Sequence, residues 1–397
     1  MKEEIIRKIA GEVQTPAYIF DTDIMNERID LMKSILGMRF HICYAMKANP
    51  FLIEAVRSHV DAYEVCSPGE FRICEKAGIL MEDIILSGVN KEAEEIERVW
   101  KTYEGKGIFT AESINQLRLL DECGQRSGRK LSILLRVTSG SQFGMDEQEI
   151  YQIIQDRARY TGIVIKGIQM YSGTQKKKLD KIGRELKKLD ELLKELKEQS
   201  GFEAELLEYG PGFYCSYFKK DEDPDYPALF AEFKKLADEM EYQGEVTLEM
   251  GRILASDCGY YLTRIVDEKI NHGENYCIVD GGIHHLNYYG QSLGMKIPHY
   301  LQINEEETVL ESDREHVKEW NVCGSLCTTS DVIVKKMPLQ NARLGDILVF
   351  KRVGAYSVTE GISLFLSRDL PGVYLYSRKR KLEKMRGNIQ TDSINYR

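Results

Sequence analysis

The feature that most limits how this chain can fold is a rhythm. Apolar runs of strand length recur at 39–48, 61–67, 83–88, 105–111, 131–137, 165–173, 205–210 and 245–251, with charged segments of helical spacing between them. The clearest of those segments keeps Leu179, Ile182, Leu186, Leu189, Leu193 and Leu196 on one face among lysines and glutamates. Eight strands alternating with helices over roughly 230 residues is what a (β/α)8 barrel requires. An open doubly wound sheet would use fewer strands and usually a glycine-rich turn after the first, and no such turn follows 41–48. The fold class expected is therefore α/β, a TIM barrel over 22–255. Beyond about residue 255 the helical periodicity fades. Short β-rich runs follow at 260–266, 276–280, 331–334, 346–350 and 373–376, with Gly281-Gly282 and Gly345-Asp346 as turn signals. They predict a mostly antiparallel C-terminal β-domain over 256–397, joined by residues 1–21, whose strand at 15–20 can pair into it. The tail after Arg378, basic and then polar, reads as a solvated end.

Composition narrows the function. A chain of 397 residues has room for two domains, and its net charge of −9 argues against nucleic acid or an anionic membrane as the main partner. Residues 1–7 are charged and lack the apolar run of a signal peptide, and no stretch has the uninterrupted apolar length of a membrane span. A cytoplasmic protein is expected. The nine cysteines are scattered, and the closest two of the C-terminal half, Cys323 and Cys327, have no histidine at a useful spacing. They read as reduced thiols, with no metal site.

The chemistry-bearing residues stand where a barrel would put them on one rim, the C-terminal ends of the strands. Lys47 ends the first apolar run, just before Asn49-Pro50. On its own it could simply surface into a loop; in a partly desolvated place it would be a Schiff-base lysine with a freed amine. Ser67-Pro68-Gly69-Glu70 follows the second strand and Tyr171-Ser172-Gly173-Thr174 ends the sixth. Gly210-Pro211-Gly212 follows the seventh, and Glu249-Met250-Gly251-Arg252 ends the eighth. Glycine backbone N–H groups and an arginine fork can close on phosphate oxygens. Together these residues describe a phosphate cradle facing a lysine.

The ordered motifs Tyr-Ala-Met-Lys-Ala-Asn, Ser-Pro-Gly-Glu, Gly-Pro-Gly, Glu-Met-Gly-Arg, Val-Asp-Gly-Gly, Cys-Thr-Thr-Ser-Asp and Gly-Ala-Tyr, spread from about residue 15 to 376, resemble the pyridoxal-phosphate decarboxylases of the alanine-racemase-like fold. Diaminopimelate and ornithine decarboxylases are familiar members. The resemblance implies pyridoxal 5′-phosphate as cofactor and a homodimer with active sites at the interface. It makes Lys47 the lysine of the internal aldimine and Glu249 the partner of the pyridine nitrogen. Gly210, Gly212, Gly251, Arg252 and Thr174 would bind the phosphate, with Tyr356 closing over it and Tyr171 stacking on the ring. Cys327 matches the cysteine that reaches in from the partner subunit to protonate the carbanion carbon. The electron sink is the cofactor's; orientation of the scissile bond and delivery of one proton are the protein's.

Departures from the family pattern bear on substrate. Tyr171 stands where the diaminopimelate and ornithine enzymes have histidine, and Thr328 where they have an acid that grips a distal ammonium. The arginine that diaminopimelate enzymes place after Val-Asp-Gly-Gly is missing; this chain reads Ile-His-His-Leu-Asn-Tyr-Tyr. That set is more similar to the secondary-metabolism branch, whose members decarboxylate modified or carrier-protein-tethered amino acids. His284 and His285 are then candidate substrate residues, with Thr328 and Asp331, or alternatively hydrogen-bonded loop histidines. A free basic amino acid is the alternative substrate. A racemase of the same fold and a non-catalytic homologue are the alternative functions. The Cys327 motif favours decarboxylation over the first, and the retained lysine and glycines argue against the second.

Overall fold

The computed structural model describes residues 1–304 and 317–396. The chain divides into two compact units, one of residues 27–214 and 224–253, the other of 1–26, 215–223 and 254–397.

The first unit is a closed barrel of eight parallel strands. Counting from helix α1 (Glu3–Glu12), strand β1 (Ala17–Asp21) and helix α2 (Thr22–Leu36) at the N-terminus, the staves are β2 (Phe40–Ala45), β3 (Ala62–Val65), β4 (Ile84–Leu86), β5 (Ile108–Ala111), β6 (Leu131–Val137), β7 (Ile163–Tyr171), β8 (Leu206–Gly210) and β9 (Glu245–Met250). All eight lie within the apolar runs or a residue or two of them. Helices α3 (Pro68–Lys76), α4 (Ala93–Tyr103), α5 (Ile114–Ser127), α6 (Glu147–Gln155), α7 (Leu179–Ser200) and α8 (Tyr226–Asp238) follow the second to seventh staves. After the first stave there is only a pair of 3-10 turns, Met46–Ala48 and Pro50–Leu52. Lys47 therefore sits in a tight turn just past β2 rather than in the strand. Asn49 makes that turn: its side chain accepts from the Phe51 N–H, and Pro50 has no N–H to strand. In α7 the expected stripe is buried, Ile182, Leu186, Leu189, Leu193 and Leu196 all facing inward, and Glu185 is buried with them. At roughly 1.5–3 kcal/mol for each large apolar side chain, this face is the chief reason a charged 22-residue helix stays docked.

The barrel interior is less apolar than its staves suggest. Glu64, Thr110, Gln169, Glu208, Thr247 and Glu249 are all buried, and Glu208 is in register with Gln169 on one side and Thr247 on the other.

The second unit is built on β10 (Gly259–Asn271), β11 (Glu274–Val279), β12 (Tyr300–Ile303), β13 (Val317–Cys323), β14 (Val332–Gln340), β15 (Ile347–Lys351), β16 (Gly372–Ser377) and β17 (Lys381–Arg386). Its strand order is β14-β13-β11-β10-β1-β16-β17, with β15 also pairing β10 and β12. The N-terminal strand joins this sheet as expected, antiparallel to β10 and parallel to β16. Helix α1, which the sequence reading did not anticipate, lays Ile6, Ile9 and Ala10 onto Ile19, Leu262 and Val349. The tail is mostly exposed, as expected, but part of it is ordered as β17, antiparallel to β16 in register Tyr376↔Leu382. A strand at the sheet edge tolerates lysine and arginine, which keep other chains from pairing there, so its charge concealed it.

Candidate active site

Each stave delivers its chemistry at the same end. Glu64 is near the end of β3 and Glu249 near the end of β9, both facing the barrel interior, and the turn after β2 brings Lys47 to them. The Lys47 ammonium donates to Glu249 Oε1 at 2.8 Å and to a Glu64 carboxylate oxygen, with Cys66 Sγ 3.7 Å away. Both carboxylates are nearly inaccessible, whereas the lysine side chain is about a third exposed. A lysine side chain left partly open is what a reactant needs in order to reach it. Burial and the charge of Glu64 push the Glu249 carboxyl upward; the Lys47 ammonium and hydrogen bonds outweigh burial at Glu64 and hold it down. Two carboxylates share one cation, so only one of them is fully compensated.

Behind this pair stands a third carboxyl, Glu208, with no exposure and neither oxygen hydrogen-bonded. Burial, then the charges of Glu249 and Glu64, raise it well above the ordinary carboxylate range. Sequence reading missed Glu64 and Glu208. Their signal was present, since each is an acid within an apolar run on the interior-facing alternation of a barrel strand.

The loops after β7, β8 and β9 meet where the sequence places an anion cradle. Gly212 has φ of +63°, and a Cβ there would run into the Gly173 carbonyl, so only glycine lets these two loops touch. The Lys176 N–H donates to the Gly212 carbonyl at 2.9 Å, fixing the approach. Gly210 lies against the Tyr171 ring, where a Cβ would collide. Arg252, directly after Gly251, donates from Nε to Thr174 Oγ1 at 3.2 Å. Tyr171, Thr174, Gly210, Gly212 and Arg252 are thus brought together. Under the cradle Glu185, another residue the sequence reading missed, accepts from Lys176 Nζ and the Tyr209 hydroxyl, each at 2.6 Å, and from Ser172 Oγ. It sits three residues after Ile182 and four before Leu189, in the apolar stripe itself.

The remaining candidates belong to the β-unit. Cys327 is exposed on the loop between β13 and β14, and Thr328 Oγ1 lies 2.9 Å from Ser330 Oγ. Asp331 is 3% exposed and accepts from the Ile283 N–H at 2.9 Å and the Leu326 N–H at 2.7 Å, which ties the Cys327 loop to the segment carrying the histidines. His284 and His285 are buried side by side. Tyr356, with φ of +70°, lies in the loop after β15.

Comparison with known proteins follows the same lines. Residues 22–256 match the family described as pyridoxal-dependent decarboxylase, pyridoxal binding domain. Among curated relatives, L-glutamyl-[BtrI acyl-carrier protein] decarboxylase of Niallia circulans is 26% identical over 98% of this chain and 95% of its own. The 2-[(L-alanin-3-ylcarbamoyl)methyl]-2-hydroxybutanedioate decarboxylase of Staphylococcus aureus is 25% identical, covering 91% of this chain and 94% of its own. Among solved structures, diaminopimelate decarboxylase from Helicobacter pylori complexed with L-lysine superimposes with a TM-score of 0.84 at 21% identity, covering 98% of each chain. No helix among the described residues is long and apolar enough to cross a membrane. With the family match spanning more than half of its length, the chain belongs to the pyridoxal-dependent decarboxylases.

Proposed function

We propose that the chain removes the carboxyl group of an α-amino acid whose distal end is an acyl- or carbamoyl-linked group rather than a free ammonium, in a homodimer whose sites are each completed by Cys327 of the partner subunit. The observation that carries the reading is the Lys47 amine held between Glu64 and Glu249 beside the glycine cradle. The residues fit the cofactor: glycines where the loops after β7 and β8 approach closely, with Arg252 and Thr174 beside them, suit a phosphate, and a lysine side chain about a third exposed suits an aldehyde. Bound there, pyridoxal phosphate supplies the electron sink that a departing CO2 requires.

The chain's own residues do the rest. Gly210, Gly212, Gly251, Thr174 and Arg252 would hold the phosphate, Tyr356 would contribute to its cover, and Tyr171 would pack on the ring. Lys47 would provide the attachment point, and the Glu249 carboxylate would pair with the ring nitrogen of the bound group. Cys327 hands one proton to the substrate carbon that has lost CO2. Thr328 offers no charge to a distal ammonium. Two relatives act, by name, on a glutamyl group on a carrier protein and on a carbamoyl-linked hydroxybutanedioate, which supports a modified or carrier-presented substrate.

Borohydride treatment of the cofactor-loaded protein followed by peptide mass spectrometry should place the cofactor on Lys47, and Lys47→Ala protein should carry none. Label on another lysine, or undiminished CO2 release by the variant, contradicts the assignment.

A further inference from the structure

Glu185 interrupts the apolar stripe of α7, where a leucine would pack without any cost of burying charge. It is 8% exposed, and three donors converge on its carboxylate. Lys176 Nζ and the Tyr209 hydroxyl each donate to Oε2 at 2.6 Å, and the Ser172 hydroxyl donates to Oε1. Lys181, half exposed, adds only a more distant charge, 4.0 Å from Oε1. Burial, then the charge of Glu185, raises the Tyr209 phenol well above its ordinary range, which keeps it a donor.

These donors sit at the residues that frame the cradle. Ser172 and Lys176 stand on either side of Gly173-Thr174 in the loop after β7, and Tyr209 directly precedes Gly210. Lys176 also joins the two loops through its backbone: its N–H donates to the Gly212 carbonyl, and the residue bridges to Phe213. The loops have no slack where they meet, because a Cβ on Gly212 would strike the Gly173 carbonyl. One carboxylate on a long helix therefore holds both loops, by bonds whose direction matters as much as their length. Docking a helix on a barrel needs only volume; three convergent bonds specify an arrangement.

We propose that Glu185 is a positioning residue for the phosphate of the cofactor: through Ser172, Lys176 and Tyr209 it sets the spacing of the loops after β7 and β8. It acts through those partners and not on the bound group itself. The assignment rests on the reading of these loops as the phosphate cradle, and it adds what keeps the cradle in register. Backbone N–H groups grip an anion only where their directions converge, so a shift of roughly half an ångström between the loops weakens the hold on phosphate. The aldehyde end, at Lys47, is left as it was.

The test titrates the full-length protein, freed of cofactor, with pyridoxal 5′-phosphate and with pyridoxal, which lacks only the phosphate. Absorbance of the bound form gives two dissociation constants, and their ratio is the quantity read. Ser172→Ala and Tyr209→Phe each remove one donor and little volume. Each should weaken the phosphorylated ligand about tenfold and leave pyridoxal unchanged. Lys176→Met combined with Glu185→Leu removes the buried pair together, an exchange that commonly leaves stability intact. That double variant should melt like the parent and still lose the phosphate preference by about tenfold or more. The single variants keep the Lys176–Glu185 pair, so the test stands even where the double variant fails to fold. A parental ratio retained in Ser172→Ala and Tyr209→Phe, or an equal weakening of both ligands, overturns the inference. A parental protein that binds the two ligands equally would remove the cradle itself, and the role of Glu185 with it.

Discussion

Three carboxyls and one ammonium share the barrel interior around Lys47, and their unequal pKa values follow from position. Glu64 and Glu249 touch the cation and Glu208 does not. A buried acid that keeps its proton in the folded state makes folding release stability as pH rises. Above the ordinary carboxylate range near pH 4.3 the unfolded chain has lost that proton and the folded chain has not, so Glu208 costs stability progressively as pH rises toward its raised folded value. Glu208→Gln removes the titration and keeps the shape. The variant should therefore gain on the parent as pH rises above the ordinary carboxylate range, in thermal melts taken side by side, and parallel curves would contradict a raised Glu208. Only part of this was legible in the sequence. Lys47 and Glu249 stood out because their motifs did, whereas Glu64 and Glu208 are single acids in apolar runs, and hydrophobic periodicity is blind to which acid a cation will reach.

Elements that follow one period were readable; those that break it were not. The stripe of α7 and the eight staves announce themselves because burial on a helix face or in a covered strand repeats at a fixed interval. The stripe also hides Glu185, which looks like one more surface glutamate of the helix yet anchors Lys176, whose side chain is 3% exposed. Burial lowers the Lys176 pKa while Glu185 props it up. Removing the carboxylate leaves that cation buried and unpaired, so Glu185→Ala should lower unfolding free energy by about 3–5 kcal/mol. Urea denaturation followed by circular dichroism measures it, and a loss under about 1 kcal/mol, the scale of a surface pair, would contradict the buried anchor. Strand β17 escaped notice for the opposite reason. Its Lys-Leu-Glu-Lys-Met-Arg pattern is that of an edge strand with one face wet, which in sequence is hard to tell from a charged tail.

At the scale of the whole molecule the proposed chemistry is divided, with Lys47 in the barrel unit and Cys327 in the β-unit. Where each site of a homodimer takes Cys327 from the partner subunit, two inactive variants complement each other. Mixing Lys47→Ala with Cys327→Ala protein under subunit exchange should restore about a quarter of parental activity, since half of the dimers are then mixed and each has one intact site of two. Absence of recovery, with exchange shown by native mass spectrometry, would contradict a site completed in trans.

The central claim is tested most directly by CO2 release from the cofactor-loaded protein, offered free diaminopimelate, lysine, ornithine, arginine and glutamate beside glutamate joined through an acyl linkage to a carrier protein. The account predicts release from the acyl-linked substrate and little from the diamino acids, because Thr328 leaves a distal ammonium without a partner. Brisk turnover of diaminopimelate, lysine or ornithine, with the acyl-linked glutamate untouched, would contradict it.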